Sequence, residues 1–520
     1  MENLKELLEN SCQKYGNNIA FQKEKEERKE TITYFQFYYE IQSLIQALKC
    51  LENVNSNIGL IAENRYEWCV TFLAGCLSSK KVYLLDPNET EKELKKEIQD
   101  YQIQTIFFSN KAQEKIVHLF ESRKVKIRYL IHFEQRKTTP KILSYEALLA
   151  KGRYFQNYRT EEEKISYKGK ASAIFFTSGT KGEKKAVQLS QENIVSNIIA
   201  IQKRVKISWK DRFTLLLPLY HSYGCTMGFL WPIAKGATIS FSKDYSSLYE
   251  EMKKENTTIL LGVPKIYEDI ETKIAGQIRK EKNTRLSYQK KLVQEMLGKK
   301  IRLLFCGAAT LDNQISYYFQ KLGLPIYQVY GLTEASPVIS MESPYQAKKG
   351  SIGRVLEGGK IKIVGQDKQG IGEICYQGPN VMLGYENEKE NERILDGWLH
   401  TEDLGYLDKK GFLYFVGRMN NRIVRKNGEN ISPEEIENRL RKIKQIKEVI
   451  VCEKHEQLVA QIVLKEETLL EERKEIEQEI KKQNEEQPCY KRIQKIEWKE
   501  EEFPKTSTFK VKRGKVKKEA

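Results

Sequence analysis

The sequence holds nine cysteines but no CxxC pair, and no cysteine and histidine fall at zinc-ligand spacing, so zinc fingers and ribbons are excluded. The cysteine count is odd and the positions are scattered from Cys12 to Cys489, which argues against a disulfide framework and for a reducing compartment. No basic-plus-apolar leader opens the sequence, so a cytoplasmic location is the expectation. The longest apolar stretch, around residues 68–77, falls far short of the roughly 20 residues that span a bilayer. There is no internal repeat and no long disordered tract. No Gly-Lys-Ser/Thr closes a glycine-rich loop, which excludes a Walker A site. A motif for nucleic acid is missing as well. The net charge of +17, from 88 Lys and Arg against 71 Asp and Glu, therefore stands alone as a pointer to such a partner. Acidic residues are interleaved with basic ones almost everywhere, so the charge reads as a lysine-rich surface rather than a nucleic-acid face. The end of the chain is the exception. Its basic residues 505–518 are a candidate for weak peripheral contact with an anionic bilayer.

What is present is enough for more than one core: 520 residues, 40% of them hydrophobic. Leu4–Tyr15 reads as an entry helix, followed by a strand pair and a helix over 34–51 that sets Phe35, Tyr38, Ile41, Leu44, Ile45 and Leu48 on its core face. Residues 58–87 alternate strand, helix and strand, and a charged helix over 91–101 precedes the strand Thr105–Phe108, the signature of a parallel sheet. Ser190 is placed to cap a helix bearing Ile194, Val195, Ile198, Ile199 and Val205. A strand then stops at Pro218, ahead of Tyr220 and His221. Pro264, in LGVPKIYE, suits the first turn of a helix, and residues 280–300 read as one charged helix. The strand within RLLFCGAATL ends in Gly307 and Ala308, small enough for a flat ring to approach the backbone. Gly323 ends the next helix. Near the C-terminus, Ser432 to Glu435 predicts a capping box with Pro433 at the first helical position. Ile436, Leu440 and Ile443 follow as core positions, then strands at 449–452 and 459–463 and a charged helix over 469–484.

The chemistry gathers on residues 175–187, FFTSGTKGEKKAV. A buried strand leads into Thr177, Ser178, Gly179, Thr180 and Gly182, which are small, hydroxylated or free to take positive φ. Such a loop aims successive N–H groups and hydroxyls at one point, and Lys185 adds a positive charge, so a polyphosphate is the ligand it suits. Taken alone, the same residues also fit an ordinary Gly/Ser turn.

With its neighbours the stretch resembles the phosphate loop of the adenylate-forming superfamily, which holds acyl-CoA synthetases, luciferases and peptide-synthetase adenylation domains. Lys181, Lys184 and Ala186 depart from the usual Thr, Pro and Gly, while Lys185 is kept. YGLTE (330–334), DGWLHTEDLG (396–405), FVGRMNNRIVRKNGENISPEE (415–435) and FPKTSTFKVKR (503–513) resemble the later motifs in order, and the VPKIYE, IAENRYEW and NGENISPEE stretches are most like bacterial long-chain fatty acid–CoA ligases. The resemblance implies a large N-terminal domain of βαβ-type parallel sheets with a β-rich subdomain, residues 1–418, and a small mobile α+β domain, residues 419–520, turning about Asn420.

By the same resemblance Tyr330 faces adenine, with Gly307, Ala308 and Gly331 beside it. Thr333 reaches the α-phosphate, and Glu334 supplies a hard oxygen to Mg²⁺. Asp403 and Arg418 hold the ribose, Tyr220, His221 and Gly307 border the acyl pocket, Gly428 faces CoA, and Lys510 is the catalytic lysine with Lys185. Glu402 stands where glycine is usual, Asn420 where the family has Asp or Lys, and Phe509 where it has glycine. The implied reaction joins a long-chain fatty acid to AMP with release of pyrophosphate from ATP, then passes the acyl group to CoA. Two alternatives stay open: loading of an acyl carrier protein, and a paralogue that binds nucleotide or fatty acid without turnover.

Overall fold

The structure is a computed structural model of the chain, and it describes all residues except 26–27, 52–56, 157–166, 179–183, 388–392, 425–429, 456, 466–467, 469–471, 506–510, 512 and 514–520. Two large sheets carry the N-terminal part. One has nine strands and runs from Arg354–Val355 through Val338–Met341, Ile326–Gly331, Leu303–Cys306, Ile259–Gly262, Arg212–Leu215, Thr238–Phe241 and Ile19–Lys25 to Arg28–Thr33. Its five middle strands, from Ile326–Gly331 to Thr238–Phe241, pair in parallel. The other has eight strands and centres on Ala171–Ser178, Lys81–Leu85, Asn57–Ile61 and Thr105–Phe108. Between them the helices Tyr34–Cys50, Tyr66–Leu77 and Gln191–Arg204 bury apolar faces, and Trp68, Phe72, Phe229 and Trp231 are fully enclosed. A five-stranded antiparallel sheet contains Gly372–Gln377, Trp398–Leu407 and Leu413–Arg418. Beyond it the hairpin Ile423–Val424/Asn430–Ile431, the helix Pro433–Leu440 and the sheet Ile446–Lys454, Gln457–Leu464 and Lys495–Lys499 enclose a separate aliphatic core. This is the large α/β part, β-rich part and small α+β part that the motifs imply. No helix among the described residues is long and apolar enough to cross a membrane.

Several local expectations shift. The helix Tyr34–Cys50 buries Tyr34, Phe37, Ile41, Leu44, Ile45 and Leu48, whereas Phe35 is 52% exposed. At about 100° per residue Phe35 falls on the opposite side of the helix from Phe37, Ile41, Leu44 and Leu48, and its ring lies over Gly16 instead. The charged stretch over 280–300 is broken into Pro264–Glu281 and Leu286–Leu297 at Lys282, whose φ is +53°. Ser190 makes the expected cap, reciprocated by Asn193. Ser432 does not cap through its side chain. Its hydroxyl instead donates to Val416 O at 3.4 Å and to Glu434 Oε2 at 3.2 Å, while Glu435 pairs with Lys491 at 2.8 Å, so tertiary partners take both halves of the capping box. The charged helix runs over Arg473–Glu485, and residues 469–471 of the expected span lie outside the described residues. Past His221 the chain winds into a π-helix, Gly224–Leu230, which no periodicity announced.

Candidate active site

In the nine-stranded sheet the middle strands run in parallel, so their carboxyl ends share one edge. Arg212–Leu215 leads to Tyr220 and His221, Ile259–Gly262 to Pro264, Leu303–Cys306 to Gly307 and Ala308, and Ile326–Gly331 to Thr333 and Glu334. Register puts Gly262 opposite Cys306 and Cys306 opposite Gln328, so the strand Ile326–Gly331 projects three residues beyond its neighbours at that edge. Carboxyl edges of parallel strands are where open α/β sheets receive ligands. All of these turns line one large cleft, closed on the other side by Asp403 and Arg418 and by the helix Pro433–Leu440.

Close backbone approach shapes the turns. A Cβ on Gly331 would meet Pro337 O at 1.8 Å, and one on Gly307 would meet the Tyr223 ring at 2.8 Å, so neither position accepts a side chain. Ala308 takes φ +70°, in the left-handed region that favours glycine. Tyr223 was not singled out by its sequence context. Its hydroxyl is buried without a partner among the described residues, and burial holds it well above the ordinary phenol range. Tyr220 and His221 lie ring to ring at 4.7 Å on the cleft wall.

Opposite, Asp403 is 1% exposed and faces Arg418 across paired strands. Arg418 Nε lies 3.0 Å from Asp403 Oδ1, and the Tyr330 hydroxyl donates to Asp403 Oδ2 at 2.8 Å. Asp403 holds Arg418 above its ordinary value, and burial with Asp403 does the same for Tyr330. The two expected ribose residues and the expected adenine residue thus form one cluster, with Asp403 and Tyr330 buried and the Arg418 side chain half-exposed. Asp403 retains acceptor capacity beyond these donors.

Glu334, 4% exposed, accepts from the Tyr385 hydroxyl at 2.8 Å and from Arg393 NH1 at 3.0 Å. Both donors fall on Oε1, which leaves Oε2 without a protein partner among the described residues. A carboxylate oxygen of this kind, lining a cleft, suits a hard divalent cation. Thr333 Oγ1 lies 2.9 Å from Ser222 Oγ. Neither Tyr385 nor Arg393 stood out in the sequence, because their contacts with Glu334 span 51 and 59 residues.

The strands Ala171–Ser178 and Lys184–Ser190 form the hairpin that flanks the phosphate-loop stretch, with Thr177 opposite Lys185. Gly179, Thr180, Lys181 and Gly182 lie outside the described residues, as do Gly428, Phe509 and Lys510. Lys185 Nζ rests 4.8 Å from the Tyr385 ring centroid. Lys184, which replaces the usual proline, reaches Glu89 and Glu97, with Nζ 3.1 Å from Glu97 Oε1. Burial with Glu93, Asp86 and Asp100 pushes the Glu97 carboxyl up to about 8. Folding also joins Cys375 and His400, which no spacing had linked: the sulfur lies 3.5 Å from His400 Nδ1, and Glu373 Oε2 lies 2.8 Å from the same nitrogen. The thiol, buried and pushed up to about 11, favours a hydrogen-bonded trio over a thiolate ligand.

Comparison with known proteins gives the family and the fold. Residues 8–386 match the model of the AMP-binding enzyme family, and residues 420–519 match that of the AMP-binding enzyme C-terminal domain. The long-chain-fatty-acid–CoA ligase ACSBG2 of Rattus norvegicus is 27% identical over 484 residues, covering 83% of this chain and 72% of the relative. The ligase ACSBG1 of Bos taurus is 33% identical over 318 residues, covering 51% and 42%. Among solved structures, the anthranilate CoA ligase AuaEII with anthranoyl-AMP superposes with a TM-score of 0.83 at 20% identity, covering 99% of this chain and 97% of that one. The o-succinylbenzoate CoA synthetase MenE of Bacillus subtilis with ATP and magnesium gives 0.75 at 22% identity, covering 98% and 99%. With both parts matched in order, the chain belongs to the AMP-binding enzyme family.

Proposed function

We propose that the protein is a long-chain fatty acid–CoA ligase that forms an acyl-adenylate from the acid and ATP and then transfers the acyl group to CoA. The observation that carries this reading is the convergence of Glu334, Thr333, Lys185 and the Tyr330–Asp403–Arg418 cluster on one cleft. The long-chain acid is supported by the ACSBG relatives and by the VPKIYE and IAENRYEW stretches.

In this reading the acid carboxylate attacks the α-phosphorus of ATP, a C–O–P bond forms, the bond to the β-phosphate oxygen breaks and pyrophosphate leaves. A carboxylate needs no deprotonation, so catalysis rests on positioning and charge neutralisation. Asp403 accepts from the ribose hydroxyls while Arg418 fixes its orientation, and the Tyr330 ring flanks the base. Thr333 donates to the α-phosphate, and Lys185 faces the departing charge. Magnesium, held by Glu334, would supply charge neutralisation to the polyphosphate. Residues 1–418 then form the adenylating domain. Residues 419–520 form a domain that turns about Asn420, withdrawing Lys510 and presenting the Gly428 face, so that the CoA thiol displaces AMP. His221 and Tyr220 border the acyl chain.

The test is release of AMP from ATP with a panel of carboxylic acids, with and without CoA. CoA-dependent release with long-chain acids is the expected result. Acyl-adenylate that stays on the enzyme until an acyl carrier protein is added would move the acceptor to that protein. No pyrophosphate exchange with any acid would overturn the reading.

A further inference from the structure

The two positions where this chain departs from its family around the ribose strand and the domain junction meet in space. Asn420 Nδ2 donates to Glu402 Oε2 at 2.9 Å. Glu402 sits at φ +59°, a conformation at ease for glycine and strained for any residue with a Cβ. A glutamate held there needs partners that over-determine it. Its backbone N–H donates to Glu373 Oε1 at 3.1 Å, and Glu373 is fixed in turn by His400 at 2.8 Å. Its carboxylate takes both Asn420 and the Arg393 guanidinium. Arg393 is a bridge, because its NH1 also reaches Glu334 Oε1 at 3.0 Å and the Tyr385 hydroxyl at 3.4 Å. A continuous polar line thus joins the cleft carboxylate, Arg393, Glu402 and Asn420. Asn420 is also the residue at which the match to the C-terminal family model begins, one short turn after the strand Leu413–Arg418 ends.

We propose that Glu402 is a positioning residue that latches the domain junction at Asn420 and, through Arg393, makes that latch respond to what Glu334 binds. The second half rests on the assignment of Glu334 to the magnesium–polyphosphate site. Arg393 lies between two carboxylates, both of which support its charge. A cation on Glu334 takes up one of them. Arg393 then draws on Glu402 alone, competes with Asn420 for Oε2 and frees the junction. Without nucleotide the latch is closed.

Hydrogen–deuterium exchange of residues 418–424 in the nucleotide-free protein reads the latch without turnover. Glu402→Gly suits the backbone at this position, and Asn420→Ala removes the other end. Each is expected to speed exchange about 3–10-fold, the worth of one exposed hydrogen bond, and the double variant no further. ATP with magnesium is expected to speed exchange in the wild type and to leave Glu402→Gly unchanged. Thermal unfolding of Glu402→Gly at or above the wild-type temperature excludes a folding defect as the cause. Exchange equal to wild type in Glu402→Gly, or additive effects in the double variant, overturns the latch. Faster exchange in both variants with no response of the wild type to nucleotide overturns the link to Glu334. If no acid supports AMP formation, the proposed function falls, while the nucleotide-free comparison still decides the latch.

Discussion

The N-terminal core is built around stacked rings, whereas the main C-terminal cluster is aliphatic at its centre, with Trp498 at its edge. Phe21 lies 4.9 Å from Phe37 and 5.2 Å from Tyr66, and Trp68 stacks on Phe72 at 5.3 Å, all deep between the two large sheets. The C-terminal cluster, Ile423 to Ile493, is made of Ile, Leu, Val and Ala alone among its buried members. Around it run ion pairs near solvent, such as Lys454–Glu497 and Lys447–Glu502, both at 2.7 Å. Large interlocked rings bury much area and resist displacement. A small aliphatic core ringed by screened charges buries less and adds little from each pair. The smaller core is therefore expected to be the less stable of the two.

The comparison breaks first at the cleft. If Asp403 holds the ribose as proposed, Asp403→Ala is expected to cut AMP formation by about 100-fold or more through the loss of two charged hydrogen bonds, and nucleotide titration checks it. Trp231→Ala should cost about 3–5 kcal/mol, because the ring is fully buried and touches Phe213 and Phe305 at 5.9 and 6.0 Å. Ile436→Ala should cost about 2–4 kcal/mol in the smaller core. Calorimetry is expected to show that Trp231→Ala lowers one transition and Ile436→Ala another. A single shared transition would end the picture of two independent cores. The smallest effect is acid sensitivity. Lys454, Gln461 and Lys495 hold the Glu497 carboxyl down to about 2. Its folded value lies below its unfolded one, so its contribution is present above about pH 4.5 and is lost as pH falls toward 2. Solvent screens it to under about 1 kcal/mol. Melting curves across that window should be flatter for Glu497→Gln than for wild type.

Much of this was legible in the chain because its chemistry is carried by short contiguous motifs. Tyr330, Thr333 and Glu334 fall within five residues, and the strand–turn order around Gly307 and His221 follows from apolar runs ended by small residues or proline. What stayed hidden depends on distance in sequence. Tyr385 and Arg393 meet Glu334 only after two sheets have assembled. The capping box at Ser432 failed for a similar reason: Val416 and Lys491, remote in sequence, offered its residues other partners.

The π-helix Gly224–Leu230 sets a length rather than a composition. Each residue advances a helix by about 100°, so the slack held in its wider turns decides which side chains beyond Tyr223 point inward. Removing one residue would rewind the segment and swing Phe229 away from Phe37 and Trp68, 6.3 and 6.5 Å distant. Relatives that differ here by a single deletion would set a different side chain against Phe37 and Trp68 even with every motif intact.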